Sequence, residues 1–166
     1  MLKEMKLSRL ILDPVTNTPI ILLRDLEDKV TLPIWIGLLE ASAIALELEK
    51  AQPQRPMTHD LVKNILSSLN VHVTKVEVTD LRNSTFYALI YLTMDDKIFK
   101  IDARPSDAIA IALRASVPIY VEEKVIKKLE EANLENIKDI DQVDESAELQ
   151  EILEEMSPED FGKYKM

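Results

Sequence analysis

Two carboxylates and a guanidinium fall within six residues in Asp102-Ala103-Arg104-Pro105-Ser106-Asp107. Side chains of these types can hold a divalent cation and an anion side by side. Pro105 suits the first position of a helix, since it has no N–H to leave unpaired. Asp107, in the first turn, faces the positive end of the helix dipole. From Ala108 to Leu113, Ala and Ile alternate without a polar face, so the spacing predicts a buried helix behind a strand that ends near Ala103. The charged group thus stands at a strand-to-helix junction, where binding and catalytic residues are commonly placed. A plain structural reading competes with this. An acid in a first turn is favoured by roughly 0.3–1 kcal/mol whatever its role, and Asp102 with Arg104 could be an ion pair that fixes the junction.

A second group surrounds His59, the better placed of the two histidines for acid–base work, beside Asp60 and near Arg55. His72, among valines on a strand, reads as structural. Asn83 belongs to a tight turn, Arg82-Asn83-Ser84, and could line a groove. Trp35 reads as core or subunit interface.

The elements that must position these residues follow from periodicity. Strands are expected over Leu7–Asp13, Thr18–Leu23, Val30–Ile36, Val71–Asp80, Thr85–Thr93 and Ile98–Ala103, with helices over Leu38–Lys50, Thr58–Leu69, Pro105–Ala115 and Glu122–Glu131. Thr58 is the expected N-cap of its helix, and Leu61, Ile65, Leu66 and Leu69 form its apolar stripe. Pro33 argues for an edge strand or a bulge. A phase change near Thr74-Lys75 argues for a bulge. Val117–Val121 is a short extended piece.

Shifting the chain by 67 residues superposes Asp13 on Asp80, Thr18 on Thr85, Leu22 on Leu89, Ile34 on Ile101, and Ala41, Ala43, Ile44, Ala45 and Leu46 on Ala108, Ala110, Ile111, Ala112 and Leu113. Glu40 falls on Asp107 and Trp35 on Asp102. We read an internal duplication of β-β-β-α-α units, at about 7–70 and 71–131, and hence an α+β fold. Residues 1–131 form the domain. Residues 132–166 form an acidic tail, with a polar linker over Asn133–Glu145 and a short amphipathic helix over Ser146–Met156.

The net charge of −10 lies in that tail: Met1 to Leu129 hold 17 acids and 17 bases, whereas Glu130 to Met166 hold 13 acids and 3 bases. Charge therefore neither favours nor excludes a polyanionic partner. There is no cysteine, so no disulfide framework and no thiolate zinc site. No run approaches the roughly 20 apolar residues of a membrane span, the first residues do not read as a signal peptide, and a cytoplasmic protein is expected. With only Gly37 and Gly162 in the chain, no phosphate-binding glycine loop and no nucleophile elbow can be built, so no nucleotide or organic cofactor is expected.

Four blocks in order carry a resemblance: Leu32-Pro33-Ile34-Trp35-Ile36-Gly37 with Glu40-Ala41, Arg55-Pro56-Met57-Thr58-His59-Asp60-Leu61, Asn83-Ser84-Thr85-Phe86-Tyr87-Ala88, and Asp102-Ala103-Arg104-Pro105-Ser106-Asp107-Ala108. Over roughly Leu7 to Leu129 the chain resembles the bifunctional nuclease domain family of bacteria, archaea and plants. The ending Leu153–Phe161 resembles the usual family ending. The resemblance implies two three-strand, two-helix repeats sharing one barrel-like, mainly antiparallel sheet, and hydrolysis of DNA and RNA. For that chemistry the residues suggest a water activated beside a phosphate. The candidate metal ligands are Glu40, Asp102 and Asp107, holding Mg or Mn. Asp102, Arg104, Asp107 and His59 are the candidate catalytic residues, and Arg55, Lys100 and Asn83 the candidate substrate contacts. A homo-oligomer is expected, because the edges of a small sheet need covering, and the tail could serve a protein partner. The competing reading is a non-enzymatic regulatory or protein-binding module, favoured by the neutral core and the absence of a basic stripe.

Overall fold

The strand β1 (Leu2–Leu12) pairs antiparallel on one side with β2 (Pro19–Asp25) and on the other with β7 (Ile119–Glu122), a four-residue strand from far along the chain. This is seen in a computed structural model that describes residues 1–133 and Glu151. β7 in turn pairs parallel with β4 (His72–Arg82), through Val76 beside Ile119 and Val78 beside Val121. With β3 (Thr31–Trp35), β5 (Thr85–Met94) and β6 (Lys97–Ala103), the result is one mixed sheet of seven strands in the order β3-β2-β1-β7-β4-β5-β6.

Two expectations about the sheet are corrected. It is not closed into a barrel: β3 and β6 are its two ends. It also has seven strands rather than six, because the extended piece after Val117 enters the middle of the sheet and not its margin. All neighbouring pairs except β4–β7 are antiparallel, as expected. The second half of the chain therefore reads β-β-β-α-β-α.

Local chemistry explains the details. Pro33 lies in β3, an end strand, where a residue with no N–H costs the ladder least. β4 shifts register between Val73 and Lys75, the expected bulge, and again between Val78 and Asp80. The β4–β5 and β5–β6 hairpins turn through Asn83-Ser84 and Asp95-Asp96, both residues of each pair having positive φ. Tight hairpins require that conformation, because it matches the twist of the strands, and Asn and Asp tolerate it.

Four helices complete the domain: α1 (Leu38–Leu48), α2 (Thr58–Ser68), α3 (Pro105–Ala115) and α4 (Glu123–Asn133). Helix α3 is the buried one, as its Ala-Ile pattern predicts. Ala108 to Ala112 lie in the main core with Val76, Val78, Ala88 and Ile90 of the sheet, and α1 and α2 pack against α3. Ser116, left-handed at φ 54, ends it. A smaller cluster, Ile11, Ile20 and Leu22, carries Trp35 packed against it.

Helix α2 departs from expectation twice. Thr58 is its first residue and Met57 is the N-cap, because the Asp60 carboxylate takes the Met57 N–H at 2.9 Å. The stripe Leu61, Ile65 and Leu69 is exposed, and it is Val62 that packs on the core. No helix among the described residues is long and apolar enough to cross a membrane. The linker and helix expected within 134–166 lie outside the described residues, apart from Glu151.

Candidate active site

Arg104 is the N-cap of α3, held in extended backbone (φ −68°, ψ 146°) by the proline that follows it. Its side chain lies between two carboxylates. Nη1 donates to Glu40 Oε1 of the first turn of α1 at 2.8 Å; Nε and Nη2 donate to Asp107 Oδ2 and Oδ1 at 2.8 and 3.2 Å. Three of its five N–H bonds are thus engaged, and two remain for a ligand. The side chain is 64% exposed. Its two acids hold the Arg104 guanidinium firmly protonated, Asp107 contributing most and Glu40 next.

Glu40 reaches Arg104 because of Gly37. A Cβ at Gly37 would collide with the Glu40 carboxylate, whose Cδ would lie only 3.2 Å away. The glycine is thus needed for space, and its φ of −80° suits any residue. No sequence reading singled out Gly37. The available signal was a glycine three residues before a first-turn acid, at the end of a strand.

Behind Arg104 stands His59, whose Nε2 lies 2.9 Å from Asp107 Oδ1. Partial burial raises the Asp107 pKa, but hydrogen bonds from Arg104 and then His59 outweigh it and hold the carboxyl below the usual range. An ionised carboxylate can only accept, so His59 Nε2 is the donor in this contact. The neighbouring Asp60 is also held low, its burial outweighed by Arg114, whose Nε donates to Asp60 Oδ1 at 2.7 Å. Arg114 also donates to the carbonyls of Ala110 and Ala43, at 3.1 and 2.9 Å, so one buried guanidinium ties α1, α2 and α3 together. Asp60 and Arg114 are the struts of the site.

Arg104 and Glu40 line a cleft of about 350 Å³. Ile34 and Trp35 of β3, Thr85 and Phe86 of β5, and Pro105 and Ser106 at the β6–α3 junction line it as well. A second cleft of about 280 Å³ adjoins it and shares Trp35, Ser84 and Phe86.

The structure brings Glu40, His59, Arg104 and Asp107 together. Asp102 does not join them: it pairs with Leu89 across the β5–β6 ladder, is exposed, and its side chain makes no hydrogen bond or ion pair among the described residues. Strand alternation puts it on the face with Lys100 and Tyr91, opposite the face from which Ile90 enters the core. Lys100 lies over the Tyr91 ring, 5.3 Å from its centre. Burial and the bond to Glu77 push the Tyr91 phenol up to about 12. Arg55 is exposed in the loop before α2, and Asn83 lines the second cleft. Glu40, Asp102 and Asp107 therefore do not form a ligand triad, and no group of three or more metal-ligating side chains occurs among the described residues. The two acids that converge do so on a guanidinium.

Residues 21–133 match the bifunctional nuclease domain. An uncharacterized protein of Mycobacterium tuberculosis is 43% identical over 150 residues, covering 87% of this chain and 89% of that one. Bifunctional nuclease 2 of Arabidopsis thaliana is 35% identical over 101 residues, and bifunctional nuclease 1 of Oryza sativa subsp. japonica 30% over 105 residues. The matches cover 58% and 60% of this chain but only 31% and 32% of the Arabidopsis and rice proteins. With the domain matched from β2 through α4, the chain belongs to the bifunctional nuclease domain family.

Proposed function

We propose that the chain hydrolyses phosphodiester bonds in DNA and RNA at the Arg104 cleft. The observation that carries this reading is a charge-clamped guanidinium, exposed at a cleft, with two N–H bonds unspent beside a carboxylate. Arg104 takes the non-bridging oxygens of the scissile phosphate, the task for which its planar fork is suited. Glu40, which lines the same cleft, accepts the proton of the attacking water. The water oxygen bonds to phosphorus, the ester bond breaks, and the leaving oxygen takes a proton from solvent. Asp107 and His59 do not line the cleft; they position Arg104. Divalent-ion dependence is tested by repeating the assay with added Mg, with added Mn and with a chelator.

The test is product release from single-stranded DNA and RNA by the purified chain, compared with Arg104→Ala and Glu40→Gln. Loss of turnover in both variants, at an unchanged melting temperature, supports the reading. Equal turnover in wild type and both variants overturns it. A second reading, a non-enzymatic protein-binding module, is favoured by the exposed stripe Leu61, Ile65 and Leu69. It stands if neither nucleic acid is cleaved and Ile65→Lys changes the mass of the particle in solution.

A further inference from the structure

The two clefts meet at an aromatic pair. Trp35 and Phe86 line both, with Arg104 at one end of the combined groove and Lys128 and Asn83 at the other. Trp35 is not free to collapse into the groove. Its indole Nε1 donates to Asp13 Oδ2 at 2.9 Å, and it packs against Ile11, Ile20 and Leu22. That indole bond is the largest of the influences holding the Asp13 carboxyl below its usual range, so the ring is anchored to an ionised partner. Lys128 is committed to Asp80, at 2.7 Å, and to the Leu81 carbonyl, which leaves the second cleft mainly apolar. Each cleft has about the volume of the smallest small-ligand sites, roughly 300 Å³. A cation at one end and a fixed aromatic wall next to it match a phosphate and the base attached to it.

We infer that Trp35 and Phe86 form a nucleobase subsite adjoining Arg104, so that the substrate is an unpaired strand. This rests on the nuclease reading for the identity of the ligand as nucleic acid. A paired base has both faces and its hydrogen-bonding edge occupied, and cannot enter the second cleft without leaving its stack. An unpaired one lies against the aromatic wall and presents its edge to the Asn83 amide at the hairpin tip.

Trp35 is the only tryptophan in the chain, so its emission reports directly on this subsite. The probes are a short phosphorothioate oligothymidylate, which resists cleavage, and an abasic deoxyribose-phosphate oligomer of the same length. The expected result is quenching of Trp35 by the oligothymidylate only, with affinity about tenfold above that of the abasic oligomer. Phe86→Leu should remove most of that difference, and Trp35→Phe, followed by anisotropy of a labelled probe, should keep it. Melting curves confirm that both variants are folded. Equal affinity for the two oligomers, or oligothymidylate binding without any change in Trp35 emission, overturns the subsite. Cleavage assays are scored separately: turnover without base-dependent binding removes this inference alone, and base-dependent binding without turnover removes the nuclease reading alone.

Discussion

Glu40 and Arg104, 64 residues apart, meet through Oε1 and Nη1 at 2.8 Å, and this contact joins the first turn of α1 to the N-cap of α3. An ion pair this exposed adds little to stability, about 1 kcal/mol at most. Arg104→Ala should therefore barely change the melting temperature while lowering turnover at least tenfold. Arg104→Lys should fare little better, since an ammonium cannot bridge two carboxylates as a planar fork does. Melting curves beside initial rates decide the matter. A large stability loss with proportionate activity loss would mark Arg104 as a clamp only.

Gly37→Ala should move Glu40 without straining the backbone. The added methyl occupies the space of the Glu40 carboxylate, which must swing away from Arg104. We expect turnover to fall to that of Glu40→Ala, with stability changed by less than about 1 kcal/mol. Wild-type rates in Gly37→Ala alongside a dead Glu40→Ala would show that the observed Glu40 conformer is not the working one.

Arg114 should behave in the opposite way to Arg104. Its side chain is only 4% exposed and serves Asp60 and two carbonyls of separate helices. Arg114→Leu leaves those partners unsatisfied and should cost about 3 kcal/mol, lowering the melting temperature by roughly 10 °C. Chemical denaturation of the two arginine variants side by side checks the contrast.

Acid should loosen the helix layer. Asp60 and Asp107 have folded pKa values below their ordinary one, so each stabilises the fold fully above that ordinary value. The stabilisation is lost as pH falls through the lowered values, that is, below about pH 4. The melting temperature measured from about pH 7 down to about pH 3 should fall steeply at the acid end. Asp60→Asn should be less stable at neutral pH and show a shallower acid fall. An unchanged acid slope in that variant would remove Asp60 from the account.

Much of this was legible in the residues themselves. Pro105 and the Ala-Ile run announced α3, Pro33 an end strand, and the phase change at Thr74-Lys75 a bulge, because each is a local steric or burial signal. Glu40 could be suspected because a shift of the sequence by 67 residues superposes it on Asp107. The contact of His59 with Asp107 could not be read, since it depends on how α2 packs across α3 and no periodicity encodes that. The separation of Asp102 from Arg104 was illegible for a related reason. Proximity in sequence put it with Arg104, but β6 ends between them, and the change from strand to helix sends the two side chains to different places. Val117–Val121 was legible as a short extended piece, but its place in the middle of the sheet was not, because its parallel pairing with β4 leaves no local mark.

That same short strand governs the order in which the fold can be completed. Leu2 waits for Glu122 and Met5 for Ile119, so the ribosome must release nearly the whole described chain before β1 gains its second neighbour. Until then the first hairpin exposes an unpaired edge, and contacts this distant in sequence form slowly. Lys3 and Glu4 lie along that waiting edge. Charges there discourage a nascent strand from pairing with a neighbour's, which makes the opening residues of the chain guardians of its own synthesis.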